Sequence, residues 1–359
     1  MKSRPFFTTN PLIFRIAKVS RRAAKVAIFL RAVCRQPRSR EKRILFRDRA
    51  NVLLDNELHF EKWVHPKRVE SDDWAIRYPQ AIPIEAAAGT QPLRVAVVCH
   101  LYYVDLIDEI RGILASLPTG FDLLVSTDTK EKKSQIEEGL SSSGASRTVV
   151  REFPNVGRDI AAKLICFKDM LGQYDVILFI HGKKSEFASK LSGWRNHLFD
   201  TLIGSPDRVK SILASFADIA DLGIIAPPHY DPLGSVGWRE NLEISDDLCS
   251  KLLGARYAFN FLDFPSGSMF WCRPAALQPL LDLNLTVKDF PAEEGQIDGT
   301  LAHAIERFFF VSCEIAGFRW VKLAGQPSPA SAPHVVGIAS TSDLRRALQR
   351  PGGRVIAQR

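Results

Sequence analysis

The sequence predicts an α/β protein with a Rossmann-type, mainly parallel sheet flanked by helices. Four short apolar runs, typical of buried parallel strands, alternate with segments whose apolar residues recur at helical spacing. Each run ends in polar residues, as expected where the carboxyl ends of strands form a ligand-binding edge. With 359 residues and 46% hydrophobic content, the chain can bury a core for one large domain with appendages or for two ordinary domains.

The alternation begins at Leu93. We predict strands within 93–103, 121–128, 147–153 and 174–185, and helices within 104–117, 134–144 and 160–172. Strands that alternate with helices in this way form a parallel, doubly wound sheet. The first half of the domain is therefore predicted to be of nucleotide-binding type.

The second half continues with helices and strands in a less regular order. Two helices are predicted within 193–218, with Ser205 as the N-cap before Pro206. Further strands are predicted at 222–228 and 264–274, and one acid-led amphipathic helix at 293–317. Residues 324–333 form a low-complexity linker, and the rest of the tail is predicted to be mobile apart from a short helix near 343–350.

The positive charge of the protein is concentrated at its N-terminus. The net charge is +8, but residues 1–50 alone carry fifteen Lys and Arg against Glu41 and Asp48, a net +13, which leaves −5 for residues 51–359. Apolar residues between Pro11 and Val33 recur at steps of three and four opposite a basic face, which predicts an amphipathic helix. This helix either lies on an anionic membrane surface or docks on its own domain. A nucleic-acid-binding protein is disfavoured because the folded part is acidic.

Cysteine usage and hydropathy favour a cytoplasmic protein. The six cysteines are scattered, form no C-x-x-C pair and fall largely in apolar segments, as reduced core thiols do. No apolar stretch approaches the roughly 18 residues of a membrane-spanning helix. We therefore expect neither a membrane-spanning protein nor an exported one.

Polar side chains follow each of the four predicted strands, and the parallel topology brings them to one edge of the sheet. The first two loops offer aromatic rings and hydroxyl groups, and the last two offer cations. Such a set of groups could bind a nucleoside diphosphate. The G-x-G-x-x-G and P-loop patterns are absent, which disfavours the common dinucleotide and P-loop folds. In chain order, the candidate binding residues are His100, Tyr102, Tyr103, Asp128, Asn155, Arg158, Asp159, His181, Lys183, Lys184 and Ser185.

Six motifs in order resemble the rhamnan synthesis protein F family of polysaccharide-building glycosyltransferases. They are HLYYVDLIDEI, NVGRDI, YDVILFIHGKKS, GWR, FPSGSMFWCRPAAL and DFPAEEGQIDGTLAHAIER. The resemblance covers roughly Arg94 to Leu323 and implies a GT-A-like fold. Together with the charge and composition pattern, it divides the chain into a basic N-terminal segment (1–50), a connector (51–92), a transferase domain (93–323) and a linker with tail (324–359). Within the domain it implies a nucleotide-sugar half (93–185) and an acceptor half (186–323).

The resemblance also suggests a role for the residues at the end of the fourth predicted strand. Many GT-A-type transferases carry there an Asp-x-Asp pair that holds a divalent metal, whereas this chain has His181-Gly182-Lys183. We therefore predict no metal cofactor and expect Lys183 and Lys184, with His181 and Arg158, to stabilise the departing diphosphate. The alternatives remain that the lysines are solvated loop charges and that Mg²⁺ or Mn²⁺ binds through Asp128 or Asp159.

The acidic segment before the last long helix is the candidate source of a catalytic base. An inverting transfer needs a carboxylate to take the proton of the acceptor hydroxyl. Asp298 resembles the position of that base, Glu293 and Glu294 are the alternatives, and His303 lies about one turn further on. Acids near a helix start can instead act only by stabilising the helix dipole.

Two further groups complete the candidate site. Ser266, Gly267 and Ser268 form a small-residue turn that would let a sugar ring approach the backbone, while Met269, Phe270 and Trp271 are predicted to be core. Trp194 and Arg195 either close over the donor or pack a helix on the sheet.

Together these features predict an inverting glycosyltransferase at the inner face of the plasma membrane. The family resemblance implies transfer of L-rhamnose from a dTDP-linked donor to a lipid-linked O-antigen or rhamnan polysaccharide. The predicted partners are the nucleotide sugar, the lipid-linked glycan and the anionic membrane surface. The alternative is a non-catalytic sugar-nucleotide- or glycan-binding subunit of a polysaccharide assembly complex.

Overall fold

The computed structural model describes residues 74–79, 81–82, 92–182, 193–230, 238–254, 262–294, 298–325, 334–349 and 355. All of them belong to one unit that begins at Val64. The predicted amphipathic helix in residues 1–50, most of the connector and the cations Lys183 and Lys184 with Ser185 lie outside the described residues.

A seven-stranded, mainly parallel sheet organises this unit, as predicted. Its strands are Val95–His100 (β2), Asp122–Thr127 (β3), Arg147–Glu152 (β4), Val176–His181 (β5), Leu222–Ala226 (β6), Phe270–Cys272 (β7) and Arg319–Lys322 (β8), in the order β4-β3-β2-β5-β7-β6-β8. Only β7 runs antiparallel to its neighbours, β5 and β6. One sheet therefore runs through both predicted halves of the domain.

Helices cover the sheet and connect its strands. They are Ile107–Leu114 (α1), Lys130–Gly139 (α2), Arg158–Ala161 (α3), Lys168–Leu171 (α4), Trp194–Leu202 (α5), Pro206–Asp218 (α6), Leu242–Leu253 (α7), Gln278–Asp282 (α8), Leu301–Glu306 (α9), Phe309–Ile315 (α10) and Thr341–Leu348 (α11). The N-cap prediction for α6 is confirmed, because the Ser205 hydroxyl accepts a hydrogen bond from the Arg208 amide at 3.2 Å. Within the described residues, no helix combines the length and apolar character needed to span a bilayer.

The strand register brings the candidate residues to one edge. His100, the last residue of β2, pairs with His181 at the end of β5 and with Ser126 near the end of β3. Because β7 is antiparallel, its amino end lies at the same edge of the sheet. The turn formed by residues 266–268 comes just before β7 and therefore lies at this edge as well. Met269, Phe270 and Trp271 are fully buried, which confirms their assignment to the core.

Three predicted helices differ from those observed. The helix predicted at 134–144 begins instead at Lys130, because Thr129 caps it by accepting a hydrogen bond from the Lys132 amide. The helix predicted at 160–172 is divided into α3 and α4 by a π-helical turn at Ala162–Cys166. The helix predicted at 293–317 is divided into α9 and α10, and its acids lie before α9 rather than in its first turn.

Two short strands were not predicted. Trp74–Arg77 (β1), in the predicted connector, pairs in parallel with His334–Gly337 (β9), in the predicted mobile tail. An isolated bridge joins Ile76 to Leu323, next to β8. Four-residue strands leave little periodicity to detect, and their partners lie some 260 residues apart in the chain. The tail is thus partly ordered by pairing as well as by α11.

The predicted state of the cysteines is confirmed where the structure describes them. Cys99, Cys166, Cys249, Cys272 and Cys313 are buried and free. Burial raises the pKa of Cys99 to about 12, so this thiol stays protonated and packs as a small apolar group.

Candidate active site

A buried polar layer lies at the carboxyl edge of the sheet. His100 and His181 are each 7% exposed, and the His100 Nδ1 atom lies 3.0 Å from the Ser126 hydroxyl. The Nε2 of His181 donates to the Gly267 carbonyl at 2.8 Å, which ties the end of β5 to the turn before β7. The two histidines that end neighbouring strands are therefore fixed by their side-chain contacts.

An ion pair lies directly beside these histidines. Lys163, in the π-helical turn, is 2% exposed and donates to Asp159 and, at 3.3 Å, to the Ser268 hydroxyl. Ser268 also donates to Asp159, and His181 Nε2 lies 3.8 Å from the same carboxylate oxygen. Burial alone would raise the pKa of Asp159, but His181, Lys163 and the two hydrogen bonds hold it well below its usual range. Asp159 is thus an ionised carboxylate at neutral pH.

Burial has the opposite consequence for His100. It lowers the pKa of this imidazole to about 4, with Lys163 acting in the same direction and Asp159 against it. His100 is therefore neutral at pH 7 and offers a hydrogen-bonding ring rather than a charge.

Aromatic rings follow β2, where ring contacts were predicted. Tyr102 and Tyr103 meet edge to face with ring centroids 4.9 Å apart. The Lys132 ammonium lies 3.8 Å from the centre of the Tyr102 ring and 2.6 Å from Asp128 Oδ1. This cluster places two tyrosine rings and an ion-paired lysine beside the end of β3.

Arg158 links the two predicted halves of the domain. Its Nε donates to Glu293 Oε2 at 2.9 Å, and its Nη1 lies 3.5 Å from His303 Nε2. His303 Nδ1 lies 2.8 Å from the Thr300 hydroxyl. Burial lowers the pKa of His303, Arg158 lowers it further and Asp298 opposes the shift. A neutral His303 then accepts from Arg158 and donates to Thr300.

Asp298 lies in the turn that precedes α9. Its Oδ1 accepts from the Asn241 amide at 2.6 Å and lies 3.5 Å from Arg307 Nη2. Its Oδ2 is buried and has no hydrogen-bond partner among the described residues. The side chain of Asp298 is thus held through one of its two carboxylate oxygens.

The turn before β7 is held from two further sides. The Gly267 amide donates to Glu306 Oε1 at 2.7 Å, and the Trp194 ring lies so close that a Cβ on Gly267 would meet it at 3.1 Å. Ser266 is buried, and its hydroxyl has no partner among the described residues. The backbone of this turn thus packs tightly at the edge where the strand ends meet.

The structure also describes three other predicted site residues. Arg195 pairs with Glu109 of α1 at 3.0 Å, Glu294 is exposed, and Asn155 is half-buried in the loop after β4.

The described residues contain no group of three or more His, Cys, Asp or Glu side chains arranged to hold a metal ion. The two aspartates considered as metal ligands, Asp128 and Asp159, are each paired with a lysine.

Sequence reasoning missed four residues that hold the site together: Lys163, Asn241, Glu306 and Arg307. A signal existed for one of them. Lys163 follows Asp159 by four residues within an otherwise apolar segment, the spacing at which helical side chains meet. Asn241 and Glu306 act through contacts with distant parts of the chain, and Arg307 contacts Asp298 in the turn before α9; none of the three leaves a local pattern.

The comparisons with known proteins agree with the motifs. Residues 63–314, more than two thirds of the chain, match the family described as rhamnan synthesis protein F. The chain belongs to this family. Two curated relatives, both an uncharacterized protein WxcX from strains of Xanthomonas campestris pv. campestris, are 31% identical over 313 residues. The alignment covers 83% of this chain but only 44% of each relative, so the chain spans less than half of their length.

A similar solved structure was also found. It is glucosyl-3-phosphoglycerate synthase from Mycobacterium tuberculosis in complex with Mn²⁺, UDP and glucosyl-3-phosphoglycerate. The identity is 14%, the TM-score is 0.31, and the match covers 70% of this chain and 81% of the other. The membership in the rhamnan synthesis protein F family rests on the sequence comparisons.

Proposed function

We propose that this protein is a glycosyltransferase that moves L-rhamnose from a dTDP-linked donor to a lipid-linked surface polysaccharide of O-antigen or rhamnan type. The observation that carries the proposal is the family match over residues 63–314, which contains the buried polar edge. Within that range Asp159 and His181 contact the turn at residues 266–268, and His100 ends the strand next to that of His181. The sugar and the acceptor rest on the family resemblance.

The reaction assigned to this edge is an inverting displacement. The acceptor hydroxyl oxygen forms a bond to the anomeric carbon while the bond to the diphosphate breaks, and the diphosphate leaves with the electron pair. We assign the hydroxyl proton to Asp298, whose Oδ1 is held by Asn241 and lies 3.5 Å from Arg307 Nη2, while its Oδ2 has no partner among the described residues. Glu294, the alternative base, is exposed, and Glu293 is paired with Arg158.

Cations are proposed to stabilise the leaving diphosphate. Lys183 and Lys184 follow β5 in the sequence after Gly182, and Arg158 begins α3 after the neighbouring loop of the same edge. At an effective dielectric near 20, two unit charges about 4 Å apart interact by roughly 4 kcal/mol, enough for a large rate effect if it arises mainly in the transition state. The reaction would then need no bound metal.

The membrane association is proposed from the basic N-terminal segment alone. An enzyme and a lipid-linked acceptor would meet at the cytoplasmic face of the membrane, where anionic lipids attract the fifteen cations of residues 1–50. Removal of residues 1–50 should release the protein from vesicles that contain anionic lipid. Unchanged binding of the truncated protein would refute this part of the proposal.

The activity is tested by incubating the purified protein with a panel of sugar nucleotides, dTDP-L-rhamnose included, with and without EDTA. Release of nucleoside diphosphate that survives EDTA supports a transferase with fixed cations. Release that is lost in EDTA and restored by Mg²⁺ or Mn²⁺ retains the transferase and rejects the metal-independent mechanism. Donor binding without release rejects the transferase and favours a binding subunit, the second function that the missing Asp-x-Asp pair allows.

A further inference from the structure

The side-chain amide of Asn241 is buried and donates a hydrogen bond to Asp298, the candidate base. Asn241 ends the 3₁₀ turn Arg239–Asn241 directly before α7, and it is fully buried. Its Nδ2 donates to Asp298 Oδ1 at 2.6 Å and to the Trp238 carbonyl at 2.9 Å, while its Oδ1 accepts from the Gly299 amide at 3.0 Å. Because a backbone N–H can only donate, the contact with Gly299 fixes the amide orientation and turns the NH₂ group towards Asp298.

These contacts distinguish the two oxygens of Asp298. Oδ1 receives the Asn241 hydrogen bond and is also the oxygen nearest to Arg307. Oδ2 is buried without a partner among the described residues. Of the two carboxylate oxygens, Oδ2 is therefore the one that these contacts leave without a hydrogen bond.

The backbone around Asp298 is held by the same segment. Gly299 has a φ of +78°, a conformation that favours glycine, and a Cβ at this position would lie 3.2 Å from the Cβ of Glu240. Glu240 and Asn241 therefore pack against the turn of Asp298 and Gly299 through both backbone and side-chain contacts.

We propose that Asn241 is a positioning residue that holds Asp298 through Oδ1 and thereby presents Oδ2 to the acceptor hydroxyl. The inference rests on the proposed function, since it takes Asp298 as the catalytic base. A neutral amide suits this task because it fixes the carboxylate without neutralising it or competing for its proton. The charged and titratable groups that face this carboxylate are Arg307 and His303, with Glu240 on the adjoining segment.

The kinetic test uses the full chain and the donor identified by the panel. Asn241→Ala should lower kcat by about 10- to 100-fold with little change in donor KM, because the base is misplaced while the donor site is intact. In an Asp298→Asn background the same substitution should cause no further loss. Gln135→Ala, which removes an exposed amide on α2, serves as the matched control and should behave as wild type.

A second variant tests the chemistry of the contact. Asn241→Asp places a carboxylate against Asp298 Oδ1, and two adjacent carboxylates resist simultaneous ionisation. The acidic limb of the kcat profile should therefore move to higher pH, a shift that a merely structural role would not produce. An equal loss for Asn241→Ala in the wild-type and Asp298→Asn backgrounds, or an unshifted limb for Asn241→Asp, would overturn the proposal.

A measurement without turnover separates this inference from the proposed function. The side-chain amide NMR signals of Asn241, assigned by their loss in Asn241→Ala, should shift with pH in the wild type and stay constant in Asp298→Asn. If they do so in a protein that turns over no donor, the transferase is refuted while the contact stands. If they titrate identically in both proteins, Asn241 does not hold Asp298 and the inference fails.

Discussion

Lys163 and Asp159 form a buried ion pair beneath the candidate active site, four residues apart on the chain. The lysine side chain is 2% exposed and the aspartate side chain 14%, and both contact Ser268 in the turn before β7. The pair thus connects the segment after β4 to the antiparallel strand that enters the same edge. It fixes charge where a nucleoside diphosphate is proposed to bind.

Removal of the lysine charge should strongly destabilise the fold. Lys163→Met leaves a buried carboxylate without its partner, so the free energy of unfolding should fall by about 3–5 kcal/mol in urea titrations. Lys130→Met, at an exposed position on α2, should change it by less than about 0.5 kcal/mol. Adding Asp159→Asn to Lys163→Met should recover part of the loss; a double variant no more stable than the single one would exclude the ion pair as the cause.

Gly157 should not tolerate a side chain. Its φ is +65°, and a Cβ there would lie 2.4 Å from the Phe290 ring and 2.8 Å from the Ala161 methyl group. Gly157→Ala should therefore cost about 1–3 kcal/mol of unfolding free energy and weaken donor binding, because Arg158 and Asp159 follow directly. Gly172→Ala is the matched control, since its φ is −66° and no atom lies within 4 Å of the added methyl. Equal stability of the two variants would contradict this description of the turn.

The neutral state of His100 predicts a pH dependence of stability. Its pKa is about 4 in the folded protein against 6.5 for an exposed imidazole, so the unfolded chain binds a proton between these values that the native state does not. Stability is thus lost as pH falls from about 6.5 to 4, by up to about 3 kcal/mol. Asp159 affects the stability of the protein in a different pH range. Because its pKa is lowered in the folded state, the stability that its charge contributes is lost only below about pH 4.

The measurement compares wild type with His100→Asn, which keeps a polar group beside Ser126. The difference in unfolding free energy between the two proteins should change between pH 7 and pH 4, with the wild type losing more stability. His303 titrates in both proteins and cancels in the difference. A difference that stays constant over this range would show that His100 is not held neutral by burial.

The edge that carries the site could be predicted from the sequence. The apolar runs that end at His100 and His181 locate two strands, and the alternation with helices makes them parallel, so their ends must meet. The same reasoning places Arg158 and Asp159 beside them. These predictions succeeded because strand burial and parallel topology are encoded locally.

Contacts between distant residues could not be predicted in the same way. Arg158 meets Glu293 across 135 residues, and Asn241 meets Asp298 across 57. A buried lysine such as Lys163 also resembles a solvated residue until its partners are known. The helix predicted from residue 293 begins only at Leu301, after the turn at Asp298 and Gly299, which packs against Glu240.

The most direct test of the account is the turnover of the best donor by Asp298→Asn, with the donor Kd measured alongside. The amide keeps the shape of the carboxylate but cannot take a proton, so kcat should fall by about 10²- to 10⁴-fold while the Kd stays close to that of the wild type. A kcat of Asp298→Asn equal to that of the wild type would contradict the role of Asp298 as the base. A wild-type protein that binds a donor but never releases nucleoside diphosphate would contradict the assignment as a transferase.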